Sequence, residues 1–340
     1  MERVAIIGPG GAGKSTLARR LGELTGLPVV HLDTEYWRPG WVPTPEEEWR
    51  PRVDELAHRE RWIIDGNFGG TMQPRLDRAD TVIYLDFERH TYIWRVLKRR
   101  YQHRDRGRSR PDMAEGCEEK VDWVFLKWLW NYPATRRPEA LRLLANAHRL
   151  GKRAVILRDD RQVRAFLVDV ASGVTARPVR LSRVNLVAGA GAGKSTLGTP
   201  LGERACLPAI DLGTLFGEVG HSRGALRGQR HVLADVLSWP AWILEGPFWR
   251  TLDQRLQSGD LAIFLDRPSH VRIWRIIRRR RDPLRVELVD LFWAPLFPLS
   301  EGRRIRRILG RAAASQPVFI TRTDAEAAAV LEGLAPAPQR

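Results

Sequence analysis

Short runs of apolar, largely β-branched residues recur along the chain with little polar alternation, at positions 4–7, 29–32, 62–65, 81–86 and 154–157. Such runs predict strands covered on both faces, as in a parallel sheet flanked by helices. Between them, residues 14–24 and 90–101 carry apolar side chains at helical spacing. The pattern therefore predicts a three-layer α/β domain in which strand and helix alternate. The most apolar stretch, residues 123–132, is broken by Lys127. It is shorter than the roughly 20 residues a membrane span needs, and it reads as a buried helix or one beside a lid.

The pattern occurs twice. Gly11-Ala12-Gly13-Lys14-Ser15-Thr16-Leu17 returns as Gly191-Ala192-Gly193-Lys194-Ser195-Thr196-Leu197, and 34 of the 97 positions from Val4 to Arg100 are identical at an offset of 180. Self-similarity over that length reads as a tandem duplication. It predicts two domains, residues 1–170 and 181–340, joined by a Gly/Pro-containing linker around 171–183. After Arg100 the copies part. The first continues through a stretch carrying Arg104, Arg106, Arg108 and Arg110, whereas the second lacks that arginine-rich flap.

Composition narrows the class. With 43% hydrophobic and 28% charged residues in 340, each half can bury a core, and wholesale disorder is excluded. Two cysteines, Cys117 and Cys206, make neither a disulfide framework nor a zinc site. They suit a reducing compartment, and residues 4–7 run into glycines with no leader-cleavage pattern, so the expected location is the cytoplasm. Net charge is +16, yet only six of 56 basic residues are lysines, two of them in the repeated glycine motif. So basic a chain suits anionic ligands, phosphates first and nucleic acid second. The runs Arg278 to Arg281 and Arg303 to Arg307 raise a nucleotide-gated nucleic-acid-binding protein as the alternative. Solvated faces of amphipathic helices explain both runs more simply.

Gly8-Pro9-Gly10-Gly11-Ala12-Gly13-Lys14-Ser15 fits G-x-x-x-x-G-K-[ST] between a strand and a helix. Glycines let successive backbone N–H groups curl around phosphate oxygens, and the helix N-terminus adds partial positive charge. Lys14 is expected on the β- and γ-phosphates of ATP, with Ser15 on Mg²⁺ and Thr16 beside it. Asp65, closing a strand, has the form of a second Mg²⁺ residue. Asp33 would face the same cleft at a strand's carboxyl end, where α/β sheets bind ligands, while Asp86 divides evenly between capping and function. Arg95 and Arg99 share a helix face and are expected to clamp the transferring phosphoryl group, with Arg104 and Arg110 closing over the nucleotide. Gly191, Gly193, Lys194, Ser195 and Thr196 repeat the phosphate site in the second copy.

Residues 8–16, His31-Leu32-Asp33 with Tyr36-Trp37, and Asp65 to Met72 resemble the adenylate-kinase-like P-loop kinases. So do Arg95–Arg110 with Pro111-Asp112-Met113, and Trp130-Asn131-Tyr132-Pro133. Within that group the likeness is to the bacterial proteins labelled DNA topology modulation proteins, over residues 1–167. The resemblance implies an ATP- and Mg²⁺-dependent phosphotransferase with an acceptor region near 33–60 and a lid near 101–120. It places Asp33 and Arg38 on the acceptor and makes Arg95 and Arg99 lid-hinge arginines. One departure stands out. Kinases of nucleoside monophosphates follow Asp-Gly with Phe-Pro-Arg, whereas here Asn67-Phe68-Gly69 follows Asp65-Gly66 and the next arginine is Arg75. That leaves Arg75 as the substrate-binding candidate and the acceptor as an unidentified small hydroxyl compound or nucleotide. In the second copy Ala188 replaces the first glycine, Gly213 stands at the place of Asp33, and Glu245 at that of Asp65. This copy is expected to be degenerate and inactive.

Overall fold

The computed structural model of the protein describes residues 1–102, 116–117, 121–173, 181–217, 225–279 and 294–335. The chain divides into two compact units, Met1–Ala140 with Lys152–Ala176, and Leu141–Gly151 with Arg177–Arg340.

The first unit runs β1 (Arg3–Ile7), α1 (Lys14–Thr25), β2 (Val29–His31), α2 (Leu32–Tyr36), β3 (Trp37–Arg38), β4 (Val42–Pro43), α3 (Glu46–His58) and β5 (Trp62–Asp65). It continues with α4 (Met72–Arg78), β6 (Thr81–Leu85), α5 (Arg89–Gln102), α6 (Trp123–Thr135), α7 (Arg137–Arg149, divided by the unit boundary), β7 (Arg153–Leu157) and α8 (Asp160–Ala171). Five strands form one parallel sheet in the order β2-β5-β1-β6-β7. Its strands are the five apolar runs read from the sequence. Val4, Ala5, Ile6 and Ile7 are buried to 1% exposure or less, because β1 lies centrally with helices over both faces. Leu17, Ala18 and Leu21 of α1 pack on one face with Phe166 of α8. Winding reverses beside β1, and this is the crevice in which open α/β sheets place ligands.

The second unit repeats the plan. β8 (Arg183–Ala188), α9 (Lys194–Ala205), β9 (Ala209–Asp211), α10 (Leu212–Gly217), α11 (Ala225–Ser238), β10 (Trp242–Glu245), α12 (Trp249–Ser258), β11 (Leu261–Leu265), α13 (Ser269–Arg279), α14 (Glu301–Ala312), β12 (Val318–Thr321) and α15 (Asp324–Leu334) follow in order. Its parallel sheet has the order β9-β10-β8-β11-β12, which matches the first strand for strand. The shared order follows from the shared apolar runs.

Charged residues at the strand ends are part of the scaffold. Asp86, after β6, accepts two bonds from Arg137 at 2.7 and 2.9 Å, and Arg158 lies 3.5 Å away. Asp266, at the matching place in the second unit, is held in the same way by Arg306. Asp86 is therefore a strut. Among the described residues no helix is long and apolar enough to cross a membrane.

Candidate active site

The carboxyl edge of the first sheet opens into a cleft of about 1400 Å³. Its floor is the β1–α1 loop. Gly11 and Gly13 hold positive φ of 80° and 96°, and a Cβ on Gly11 would stand 2.4 Å from the Tyr92 carbonyl oxygen. Both positions favour glycine, because other residues are strained in that backbone region, and at Gly11 the space is filled as well. Gly13 is also the N-cap of α1, with no side-chain cap, so the backbone amides of the first turn are presented with the helix's partial positive charge.

Gly10, Gly11, Ala12, Gly13, Lys14, Ser15 and Thr16 line the cleft together with Asp33, Arg95 and Arg99. These are most of the residues singled out in the sequence. Lys14 reaches back to its own loop, its Nζ 3.3 Å from the Pro9 carbonyl oxygen. Arg95 donates to the Ala12 carbonyl at 3.2 Å and to both oxygens of Asp160 at 2.8 and 2.7 Å, with its guanidinium 4.5 Å above the Phe87 ring. Arg275 makes the matching contacts to Ala192 and Asp324 in the second unit. The arginine thus couples α5 to the loop and to the start of α8.

Other expectations are corrected. Arg75 does not face the cleft. It is fully buried, and its guanidinium donates to the carbonyls of Thr71 (3.1 Å), Gly66 (2.9 Å), Asn67 (3.1 Å) and Phe68 (3.4 Å). Burial pulls its pKa down to about 10, with the charge of Asp65 acting the other way. Arg255 takes the same part in the second unit and is brought to about 9 by burial. Such a recurrence marks a structural residue. Arg38 is exposed, pairs with Glu48 and does not line the cleft. Asp65 is 4% exposed, with its Oδ1 2.6 Å from His31 Nδ1, so it too stands behind the cleft wall. Arg104 and Arg110 lie outside the described residues. The helix expected at residues 123–132 forms, with Leu129 and Tyr132 buried and Trp123 and Trp130 exposed. Phe125 and Trp128 stack at 5.9 Å, and both also line the cleft.

Sequence reasoning missed Asn67. Its side chain bonds the amide of Gly8 at 3.0 Å and the carbonyl of Gly8 at 2.7 Å, and so fastens the loop after β5 to the first glycine. The available signal was Pro247 at the matching place in the second copy, since proline cannot make such a clasp.

In the second unit the loop keeps its trace, with φ of 71° at Gly191 and 95° at Gly193, and Lys194, Ser195 and Thr196 open α9. Its surroundings differ. Arg272, where the first unit has Tyr92, is 2% exposed and donates to the carbonyls of Ala190 (2.9 Å) and Ala294 (3.2 Å). Its guanidinium also covers the Phe297 ring at 4.4 Å. Glu245 is buried, and that burial, reinforced by Asp211, pushes its carboxyl above the usual range. A Cβ at Gly198 would meet Glu245 Oε1 at 1.8 Å, whereas Ala18 holds the matching place beside the shorter Asp65.

A parallel sheet with a glycine-lined anion cradle, a loop lysine and an acid across one cleft defines a P-loop nucleotide-binding protein of kinase type. Comparison with known proteins agrees. A protein of Pyrococcus furiosus named "Putative adenylate kinase" is 30% identical over 134 residues, which span 37% of this chain and 68% of that protein. A shikimate kinase of Pasteurella multocida is 29% identical over 129 residues, 34% of this chain and 69% of its own. Among solved structures, a shikimate kinase of Bacteroides thetaiotaomicron aligns over 45% of this chain and 96% of its own, at 19% identity with a TM-score of 0.32, an overlap too low to argue from. No family model matches the chain. The chain belongs to the adenylate-kinase-like P-loop kinases.

Proposed function

We propose that the first unit transfers the γ-phosphoryl group of ATP to a small hydroxyl-bearing acceptor, and that the second unit is a degenerate duplicate of it that does not turn over. The observation that carries this reading is the gathering of loop amides, Lys14 and Asp33 along one cleft. The loop and Lys14 hold the β- and γ-phosphates. Arg95 and Arg99 neutralise charge as the phosphoryl group passes, and Asp33 accepts the hydrogen bond of the attacking hydroxyl. Little covalent chemistry is asked of the protein in such a transfer, so positioning and electrostatics supply the rate. Oxygen donors at the cleft fit Mg²⁺, which usually keeps several waters and takes few protein ligands. Ser15 would hold it, with Asp65 behind, and bound there it would supply positive charge that offsets that of the phosphates.

In the second unit Gly191, Gly193, Lys194, Ser195 and Thr196 keep a phosphate cradle. Gly213 stands at the place of Asp33, and the Asp211 carboxylate beside it accepts from the Thr214 amide at 3.0 Å, so it is engaged by its own backbone. With the repeat at 180 residues, domains 1–170 and 181–340 follow as one ancestral unit used twice.

The test is transfer of label from γ-labelled ATP to a panel of nucleosides, nucleotides and small hydroxyl compounds, with and without Mg²⁺. No transfer to any acceptor, together with no ATP binding by calorimetry, would end this reading.

The Asp160 clamp gives a second expectation. Asp160→Asn should lower kcat about 10-fold, because a misaimed Arg95 loses orientation rather than substrate affinity, and KM for ATP should change less than 3-fold. Stability should fall by no more than about 1 kcal/mol, since the pair is largely exposed on the Asp160 side. Steady-state kinetics and a melting curve check both. A KM effect with normal kcat would count against the assignment.

A further inference from the structure

The cleft has a wall that the phosphate chemistry does not use. Tyr36, Trp37, Trp41, Trp49 and Phe68 form a continuous aromatic network with ring centroids 4.7 to 5.3 Å apart. Trp37, Trp41 and Phe68 line the cleft, as does Asp33. Trp37 and Trp41 belong to the β3–β4 hairpin, whose tip is braced from behind. The Gly40 amide donates to the Gly116 carbonyl at 3.1 Å, and the Cys117 thiol to that of Arg38 at 3.3 Å.

Two observations separate this wall from ordinary packing. Trp41 has a φ of 65°, a region that bulky residues almost never occupy and that persists where the surroundings enforce it, commonly at ligand sites. A glycine would adopt it freely, yet the chain places a tryptophan there. The second unit supplies an internal control. At the matching positions it keeps the packed pair as Phe216 and Phe248, 4.9 Å apart, but has Gly217 for Trp37, His221 for Trp41 and Gln229 for Trp49. The fold survives without the tryptophans, and they are missing in the copy that also lacks Asp33.

The charges around the wall indicate what it receives. The arginines of the segments that build it are engaged internally. Arg38 is paired with Glu48, Arg52 with Glu35 and Glu55, and Arg75 with four backbone carbonyls. Among the described residues, these segments present aromatic faces and a carboxylate to the cleft, whereas the arginines that line it, Arg19, Arg20, Arg95, Arg99 and Arg164, stand on α1, α5 and α8.

We propose that this hairpin is the acceptor platform, and that the acceptor is a neutral, hydroxyl-bearing ring compound rather than a phosphate or carboxylate. The proposal rests on the kinase reading above. Aromatic side chains cover the face of such a ring at small entropic cost, and a few polar groups fix its orientation. Asp33 then takes the hydroxyl's hydrogen bond, while its own charge disfavours an anion. In the transfer, the hydroxyl oxygen bonds the γ-phosphorus as the bridge to ADP breaks. ADP leaves with the bonding electron pair, and the hydroxyl proton passes to Asp33.

The experiment uses the full chain with Mg²⁺ and γ-labelled ATP against matched probes, adenosine with AMP, glucose with glucose 6-phosphate, and shikimate as an anionic ring. ATP binding is measured separately by calorimetry. A neutral member should be phosphorylated with kcat/KM at least 10-fold above its charged counterpart. Trp41→Gly should raise the acceptor KM at least 10-fold and leave KM for ATP within 2-fold. Its melting temperature should be equal or higher, because glycine relieves the backbone at that position; a residue that only packs would lose stability instead. Preference for AMP, glucose 6-phosphate or shikimate overturns the proposal, as does an acceptor KM within 2-fold in Trp41→Gly. ATP binding with no neutral probe phosphorylated also overturns it, whereas absent ATP binding would sink the kinase reading instead.

Discussion

Lys14→Ala should abolish detectable phosphoryl transfer, while Lys194→Ala leaves most of it. Lys14 lines the cleft that also holds Asp33, whereas the unit carrying Lys194 has Gly213 at the acid's place. Removing one preorganised donor aimed at developing charge typically costs about 10²–10³ in kcat, and a full positive charge on the transferring phosphoryl group sits at or above that range. Lys14 reaches the Pro9 carbonyl of its own loop and lines the cleft rather than the core, so the fold should melt normally and the loss should fall on kcat. The check is label transfer by the wild type and both variants under saturating ATP. Equal losses from the two substitutions would overturn the division of labour between the units.

Arg75→Ala should be the most destabilising substitution, at about 3–5 kcal/mol in the first unit, through loss of a buried hydrogen-bond network. Four carbonyls lose their donor, at about 1–3 kcal/mol for a buried group left unsatisfied, and a cavity opens as well. Against this stands the expense of burying the charge. A pKa near 10 in the fold, well below arginine's ordinary value, corresponds to about 3 kcal/mol at 1.36 kcal/mol per unit. The sign follows from proton counting. Above about pH 10, up to arginine's ordinary value, the unfolded chain holds more protons, so this group's contribution to stability rises with pH there, and below pH 10 the penalty is constant. Stranded carbonyls and cavity together exceed the relief, so the net effect is destabilising. Arg75→Met, which keeps volume, should fall between the two. Denaturant titration measures all three. If Arg75→Met raised an acceptor KM and left stability untouched, Arg75 would be a substrate residue after all.

The strands were legible because apolar runs covered on both faces leave little choice of element, and the loop because its glycines sit where a strand meets a helix. The cleft's basic and acidic members, Lys14, Asp33, Arg95 and Arg99, were read correctly as neighbours. Arg75 was misread. A sequence shows that an arginine follows the acid but not that the chain curls back around it, and four backbone acceptors are invisible in a string of letters. Arg38 was misplaced for a similar reason, since its partner Glu48 lies on α3, ten residues further on. Asn67 and the positive φ of Trp41 were hidden because both depend on backbone geometry that side-chain type does not encode. The partner of Arg95 was also out of sight. Asp160 is 65 residues away in the chain, and only the parallel stacking of β6 and β7 brings the helices that follow them together.

The fit of Glu245 against Gly198 has an evolutionary consequence. By analogy, Asp65→Glu would bring a carboxylate oxygen against the methyl group of Ala18 and force the longer side chain to turn, whereas a paired Ala18→Gly would make room. Exchange of that acid between the two halves would therefore fit best when positions 18 and 65 change together.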